Sequence, residues 1–216
     1  MRMTRLTGVA ITMAMIAAPA MAVITGSKHD FRAVGGGYPI AGVTDICSSC
    51  HVPHQPLMNV PLWGHALSTH TFQLYNTNAQ YSGINTAAYN ASPEAFSGSM
   101  SRACLSCHDG SVAVVGATFI TQASANWMLY DNGAKVGGGT GVPDSGMKGS
   151  HPVAVNYNTV RTNQPTEYAN IAADPDVHLE ANLVQCTTCH NAHNEFARML
   201  VKANTNSALC LTCHTK

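Results

Sequence analysis

The pentapeptide Cys-x-x-Cys-His occurs four times in this 216-residue chain, at residues 47–51, 104–108, 186–190 and 210–214, and the four copies contain all eight cysteines. This pattern is the attachment site of a c-type haem, because the cysteines form thioethers with the porphyrin and the histidine becomes the proximal iron ligand. Zinc sites and paired disulfides also use Cys-x-x-Cys, but neither explains a histidine after every pair.

The sequence therefore predicts four covalently attached haem c groups and leaves no thiol for a structural disulfide or a nucleophile. The predicted thioether residues are Cys47, Cys50, Cys104, Cys107, Cys186, Cys189, Cys210 and Cys213. The predicted proximal ligands are His51, His108, His190 and His214.

The first 22 residues have the pattern of a signal peptide. Arg2 and Arg5 precede an apolar run over residues 6–18, and Ala20-Met21-Ala22 provides the small residues of a cleavage site. The run is too short to span a bilayer comfortably, and no second hydrophobic segment follows. We expect an exported protein without a membrane span, in which residues 23–216 form one tetrahaem domain. A retained anchor is the alternative.

The composition between the motifs predicts little regular structure. Charged residues make up only 10% of the chain, and Gly, Asn, Ser and Thr are abundant, so long amphipathic helices are not expected. Residues 23–216 also provide only about 48 residues for each haem, too few to wrap every macrocycle separately. We therefore expect a mostly irregular fold with short helices, organised around a chain of stacked haems that form much of the interior.

The charge balance limits the classes of partner. Lys and Arg together number 11, as do Asp and Glu, and no clustered basic stretch is present, so a nucleic-acid partner is not expected. A weakly charged polar surface permits self-association more readily than a strongly charged one.

Seven histidines lie outside the motifs and are the candidate distal iron ligands: His29, His54, His65, His70, His151, His178 and His193. His54 and His193 each follow a proximal histidine by three residues, in the pattern CxxCHxxH. That spacing puts the proximal histidine and the histidine three residues later on one face of a helical turn, so the two cannot bind opposite faces of one porphyrin. Each would have to reach a different haem.

Three further candidates are favoured by their sequence context. They are His29, His65 and His151. His65 follows Leu62-Trp63-Gly64, where the indole could pack on a macrocycle edge. His151 precedes a proline that would hold a turn. His70 and His178 have polar neighbours and are expected at the surface. The predicted distal set is thus His29, His54, His65, His151 and His193.

Histidine on both sides of every iron would give low potentials and no open coordination position, which suits electron transfer and opposes substrate turnover. We therefore expect an electron-transfer protein and not an enzyme. Methionine could replace one distal histidine and raise the potential, but the surplus of histidines makes this unnecessary.

A set of longer motifs carries a more specific resemblance. In order along the chain they are SKHDF at 27–31, CSSCHVPH at 47–54, PLWGH at 61–65, CLSCHDG at 104–110, HPV at 151–153, VQCTTCHNAH at 184–193 and LCLTCH at 209–214. Together they resemble the tetrahaem outer-surface cytochromes of metal-reducing bacteria that polymerise into extracellular nanowires. The resemblance covers nearly all of residues 23–216.

The resemblance implies a homopolymer with a continuous haem chain, in which one distal histidine comes from the neighbouring subunit. His54 is the first choice for that ligand, which leaves four candidates for three positions. The implied location is extracellular or at the cell surface, and the implied partners are further copies, other multihaem cytochromes and extracellular electron acceptors. A periplasmic monomeric carrier and a haem reductase with one open coordination site are the alternatives.

Overall fold

The computed structural model describes residues 24–32, 39–57, 62–67, 74, 96–108, 151–194 and 196–216, a set that contains all four motifs and every predicted ligand. The predicted signal peptide and His70 lie outside these residues. None of the helices in these ranges is long and apolar enough to cross a membrane.

Short helices and one minimal sheet are embedded in loop. The helices are α1 (Met100–His108), α2 (Tyr157–Asn163), α3 (Cys186–Cys189) and α4 (Ala208–Cys213), with 3₁₀ turns at Ile171–Ala173, Ala197–Met199 and Thr205–Ser207. Strands β1 (Val155–Asn156) and β2 (Leu183–Val184) pair antiparallel, with Val155 opposite Val184. The prediction of a mostly irregular fold with short helices is confirmed for the residues described.

Local side-chain caps begin several of these elements. Asn156 lies at the N-terminus of α2, where its side-chain oxygen accepts a hydrogen bond from Thr159 N at 3.0 Å. Asp45 does the same for the first motif, accepting from the backbone of Cys47 at 2.9 Å and Ser48 at 2.7 Å. These two hydrogen bonds hold the pKa of Asp45 below its usual range.

The apolar core is divided into several small clusters. The largest contains Tyr157, Ile171, Val177, Val184, Val201 and Leu209 and packs against Cys189 and Cys213. A second, built on Phe96 and Leu105, packs against Cys186, and a third, built on Phe31, Ile40 and Val43, packs against Cys107. Small proteins usually have one contiguous core. Here each of these clusters meets a motif cysteine, so the predicted haem positions adjoin the core at several points.

Tyr157 connects the last motif to the rest of the fold. Its side chain is buried, and the hydroxyl oxygen lies 2.8 Å from Ala169 O and 2.9 Å from Cys213 O, either of which can accept its proton. Ala169 N in turn donates to Cys213 O at 2.9 Å. The C-terminal end of α4 is therefore fixed by groups from two other segments.

We predict that Tyr157→Phe lowers the free energy of unfolding by about 1–2 kcal/mol, because a buried hydrogen bond is lost while the ring is kept. Urea unfolding of the mature protein followed by circular dichroism measures this change. Thr162→Val is the matched control, since its exposed hydroxyl donates only to a carbonyl within α2. Equal stability of Tyr157→Phe and the unmodified protein would contradict this role.

Candidate functional site

Each Cys-x-x-Cys-His motif forms one helical turn. In three of them the histidine N–H donates to the carbonyl of the first cysteine at 2.9 Å: His51 to Cys47, His190 to Cys186 and His214 to Cys210. The second motif, residues 104–108, is instead the C-terminal part of α1. Residues three and four apart on a helical turn share a face. Both cysteines and the histidine of each motif are therefore directed to one side.

A second pair of backbone hydrogen bonds holds the histidine of the first motif. Val52 N donates to Leu62 O and Gly64 N donates to Cys50 O, each at 2.9 Å, so that His51 lies opposite Trp63 in an antiparallel bridge. We call this arrangement the histidine clamp.

The same clamp occurs at the third and fourth motifs. His190 lies opposite Leu200, through bonds of 2.8 Å from Asn191 N to Met199 O and 2.9 Å from Val201 N to Cys189 O. His214 lies opposite Tyr168, through bonds of 3.1 Å from Thr215 N to Glu167 O and 2.9 Å from Ala169 N to Cys213 O. Three proximal histidines thus have the same backbone support.

The clamps require unusual backbone at specific positions. Leu62 (φ 62°) and Met199 (φ 55°), each directly before the residue opposite the histidine, adopt left-handed conformations that cost a non-glycine residue energy. At Gly64 a β-carbon would collide with the side chain of Val52. Of the three segments that lie opposite a proximal histidine, only the one around Trp63 was singled out by its sequence. Leu200 and Tyr168 share no motif with it beyond being large and apolar.

Three proximal histidines each face a histidine from outside the motifs. The ring centroids are 5.9 Å apart for His108 and His29, 6.0 Å for His51 and His193, and 6.3 Å for His214 and His151. His193 therefore lies against the first motif and not against the third motif, in which its own CxxCHxxH pattern begins.

These separations fit two imidazoles that share one iron. Because an imidazole nitrogen binds a metal ion at about 2 Å and its ring centre lies about 1.1 Å behind that nitrogen, two such rings on opposite sides of one metal have centres roughly 6.2 Å apart. The ring planes meet at 81°, 16° and 74° in the three pairs. Rotation about the axis through the metal leaves the separation unchanged, so this variation is compatible with a common function.

The three facing histidines are also held in the state that binds metal. Burial, followed by the nearby His108 and His193, lowers the pKa of His29 to about 4. Burial likewise lowers the pKa of His151 and of His193, with smaller contributions from His214 and His51 respectively. All three rings are therefore neutral at neutral pH, and a neutral imidazole nitrogen is the ligand that iron accepts.

Hydrogen bonds orient several of the candidate ligands. Nδ1 of His190 lies 3.0 Å from Arg198 O, Nδ1 of His151 lies 3.1 Å from Pro152 O, and Nδ1 of His193 lies 3.1 Å from the side-chain oxygen of Asn191. A carbonyl oxygen only accepts, so Nδ1 carries the proton and Nε2 keeps its lone pair for a metal.

His29 is held differently. Its neighbour Asp30 has no exposed surface and accepts hydrogen bonds from Gly26 N at 2.8 Å and from the Arg32 guanidinium at 2.9 Å. Arg32, followed by Gly26, holds the pKa of Asp30 far below its usual range. This ion pair, in which only Asp30 is fully buried, fixes the segment that places His29 opposite His108. Nδ1 of His29 is buried without a hydrogen-bond partner in the described part of the chain.

Three predicted ligands are not arranged in such pairs. Among the residues described, no histidine ring faces His190 at a comparable distance, and His54 is exposed. His65 is buried, with Nδ1 3.1 Å from Ala66 O and Nε2 3.8 Å from Cys107 Sγ, so it lies beside the second motif but not opposite its histidine. The unassigned His178 is exposed and lines the cavity described next.

One cavity of about 780 Å³ joins the first two motifs. It is lined by the cysteines and histidines of both, together with His29, His193 and Trp63. Cofactor cavities of about 300–1,000 Å³ with mostly apolar walls and a few converging polar groups are usual. Two of the three histidine pairs therefore lie in one continuous space.

The remaining motifs are in direct contact with these. The thiols of Cys104 and Cys186, the first cysteines of the second and third motifs, interact with each other, and both residues are half-buried. Ser101 reinforces this contact, donating to the Gln185 side chain at 2.6 Å and accepting from Cys186 N at 2.9 Å. Cys189 and Cys213 meet at the largest core cluster, which joins the third motif to the fourth.

Comparison with protein families supports the interpretation of the third and fourth motifs. Residues 178–216 match the family model described as the doubled CXXCH motif. This match indicates a haem c-binding electron-transfer cytochrome of the multihaem type. None of the curated proteins compared matches the chain.

The donor set fits covalent haem c better than the zinc or disulfide alternatives. All eight cysteines are free, and within the described ranges no group of three or more His, Cys, Asp or Glu side chains is arranged to hold a metal ion by itself. Each motif instead offers two thiols and one imidazole on the same side of a turn. At three of the four motifs, a second imidazole lies at a distance that would allow both rings to bind one metal ion.

We predict that His193→Ala converts one haem per chain from low-spin to high-spin, because the ring facing His51 is removed while Cys47, Cys50 and His51 stay intact. Electron paramagnetic resonance of the ferric protein measures the spin state. His178→Ala is the control, since His178 lines the same cavity without facing a proximal histidine. The assignment is wrong if both variants give the same spectrum.

Proposed function

We propose that this protein is a tetrahaem electron conduit that polymerises outside the cell, with electrons passing between low-spin haems that have histidine on both faces. The observation that carries the proposal is the set of three histidine pairs at 5.9–6.3 Å, together with a fourth proximal histidine, His190, that has no such partner among the described residues. Three motif histidines thus face a candidate distal ligand among the described residues, and we infer that the fourth, His190, takes its ligand from a neighbouring subunit.

His54 is the candidate for that ligand. It is exposed in the loop that follows the first motif, close to two of the large apolar residues that remain exposed, Leu57 (59%) and Leu62 (45%). Leu57 N donates to Trp63 O at 2.8 Å, so this loop is attached to the first histidine clamp. An exposed histidine in an apolar surface suits a contact between subunits. A contact between different surfaces of identical chains propagates as an open filament when its rotation does not close a ring.

Two other exposed apolar residues are candidates for the surface that contacts the His54 loop of a neighbouring subunit. Phe196 (39%) lies in the loop after the third motif, and Leu211 (49%) lies within the fourth motif. The first cysteines of the first and fourth motifs, Cys47 and Cys210, are exposed, whereas Cys104 and Cys186 are half-buried and interact with each other. We infer that the first and fourth haems form the ends of the chain of haems within a subunit.

The residues of the protein would have two tasks in this function. They would hold two neutral imidazoles on one axis and fix three of the proximal histidines by their clamps, so that ligation does not change with oxidation state. A bound haem c would supply reversible one-electron oxidation and reduction at its iron. We place the protein at the cell surface or outside the cell, with other copies, multihaem cytochromes and extracellular acceptors as partners.

Among the residues described, no histidine faces His190, and this observation favours a second candidate function. If His190 has no distal ligand in the assembled protein, its haem would have an open position, and the protein would be a haem reductase for a small oxyanion. Carbon monoxide binding by the reduced assembled protein distinguishes the two, since a sealed set of haems binds none. A periplasmic monomeric carrier is the further alternative, and electron microscopy of secreted material separates it from the filament.

We predict four covalent haems per mature chain, because all four motifs form the same turn and each has both cysteines free. Intact-mass measurement under denaturing conditions counts them. The double variant Cys104→Ser/Cys107→Ser should lose one haem and retain three. A mature protein with three or fewer haems would contradict the tetrahaem proposal.

We predict that His54→Ala abolishes long filaments while leaving every haem attached, because Cys47, Cys50 and His51 are unchanged. Negative-stain microscopy measures filament length, and the ferric spectrum should show one altered haem per chain, at His190. His178→Ala, which also removes an exposed histidine, is the matched control and should polymerise normally.

Long filaments with only low-spin haems from His54→Ala would show that His54 is not the ligand between subunits. His65 would then be the remaining candidate from the predicted set, because His29, His151 and His193 each face a proximal histidine within the chain.

A further inference from the structure

Trp63 has a buried hydrogen-bond donor that the protein does not use. The residue is 9% exposed, and its indole Nε1 is buried without a hydrogen-bond partner in the described part of the chain. Leaving a buried donor unsatisfied costs about 1–3 kcal/mol, and most such groups in folded proteins have a partner. A phenylalanine would fill a similar space without this cost, so the N–H group calls for an explanation.

The backbone around Trp63 gives the indole a fixed position. Trp63 is the residue opposite His51 in the first histidine clamp, and its carbonyl accepts from Leu57 N at 2.8 Å. Its ring lies perpendicular to that of His51, with centroids 6.4 Å apart and an interplanar angle of 88°. The indole therefore has the same support as the proximal ligand.

The indole also borders the space that a haem would occupy. Trp63 lines the cavity that contains Cys47, Cys50 and His51. The neighbouring His65 ring does not satisfy the donor, since its Nδ1 is directed to Ala66 O and its Nε2 lies near Cys107 Sγ. An occupant of the cavity is therefore the candidate source of an acceptor for the indole.

Haem c has two propionate carboxylates as its strong acceptors, and a hydrogen bond to an ionised carboxylate is about twice as strong as one between neutral groups. We propose that the Trp63 indole N–H donates a hydrogen bond to a propionate of the haem attached at Cys47 and Cys50. This inference rests on the proposed haem attachment at that motif. Trp63 is a positioning residue here, and it acts on the haem potential through the propionate.

The sign of the effect follows from the charge. The N–H dipole offsets part of the negative charge of the carboxylate, and that charge stabilises the ferric iron relative to the ferrous iron. Removing the donor should therefore lower the reduction potential of this haem alone. The expected change is a three- to tenfold increase in the ratio of ferric to ferrous haem at a fixed potential, where tenfold corresponds to about 59 mV for one electron.

The test compares Trp63→Phe with the unmodified protein in a spectroelectrochemical titration, together with the carboxylate stretch in redox-difference infrared spectra. His193→Met in a separate variant identifies the haem at His51, because methionine ligation raises its potential. Site-specific replacement of Trp63 by benzothienylalanine, which has sulfur in place of the N–H and keeps the bicyclic shape, gives the same measurement without a packing change. Both substitutions should lower the potential and shift the carboxylate band.

Tyr157→Phe is the matched control, since its hydroxyl already lies within hydrogen-bond distance of Ala169 O and Cys213 O. It should reduce stability without changing the potential of the haem at His51. An unchanged carboxylate band in both Trp63 variants, or a shift at another haem only, overturns the inference. Intact mass distinguishes this result from failure of the proposed function, because absence of the haem from Cys47 and Cys50 in the unmodified protein would remove the premise itself.

Discussion

The arrangement depends on the requirement that two imidazoles approach one metal from opposite sides. A ring separation of roughly 6.2 Å leaves little tolerance, because a metal–nitrogen bond is short and directional. In this protein one ring of each pair is held beside two cysteines by its motif turn, and the other is brought in from a distant part of the sequence. His29 and His108 are 79 positions apart in the chain, and His51 and His193 are 142 apart. Ligation would therefore join segments that are far apart in the sequence, as a disulfide does in a small secreted domain.

The divided core follows from this requirement. One contiguous core would bury the motifs away from each other, whereas three of the small clusters described here pack against a motif cysteine, such as Cys107, Cys186 or Cys213. The histidine clamps provide the stiffness that a large core would otherwise provide. Each uses only two hydrogen bonds, but it fixes the residues on both sides of a proximal histidine. The cost is backbone strain at Leu62 and Met199, and strain of this kind persists only where the surrounding structure over-determines the conformation.

The sequence predicted the parts of the site that are local, and the structure was needed for the parts that are not. The four motif turns, the scarcity of regular structure and the candidate distal histidines can all be read from residue types and spacing. The spacing of CxxCHxxH predicts that His193 reaches a haem other than its own, but it contains no information that His193 faces His51. The clamp partners Leu200 and Tyr168 were missed for the same reason, because a backbone hydrogen bond leaves no signature in side-chain identity. The orphaned Trp63 N–H could not be recognised until its burial was known.

If His190, which faces no other histidine among the residues described, takes its ligand from a neighbouring copy, the chain has a reason to assemble that does not depend on a large interface. Hydrophobic contacts between subunits must cover a wide area to offset the rotational and translational freedom that is lost on association. A coordination bond concentrates the interaction at one point, and it forms only when the donor reaches the correct iron, so it would select the register of the subunits as well as hold them together. The exposed leucines beside His54 would then be needed only to exclude water from that bond. On this argument the polymer would resist denaturants that weaken apolar contacts, and it would be sensitive to ligands that compete for iron.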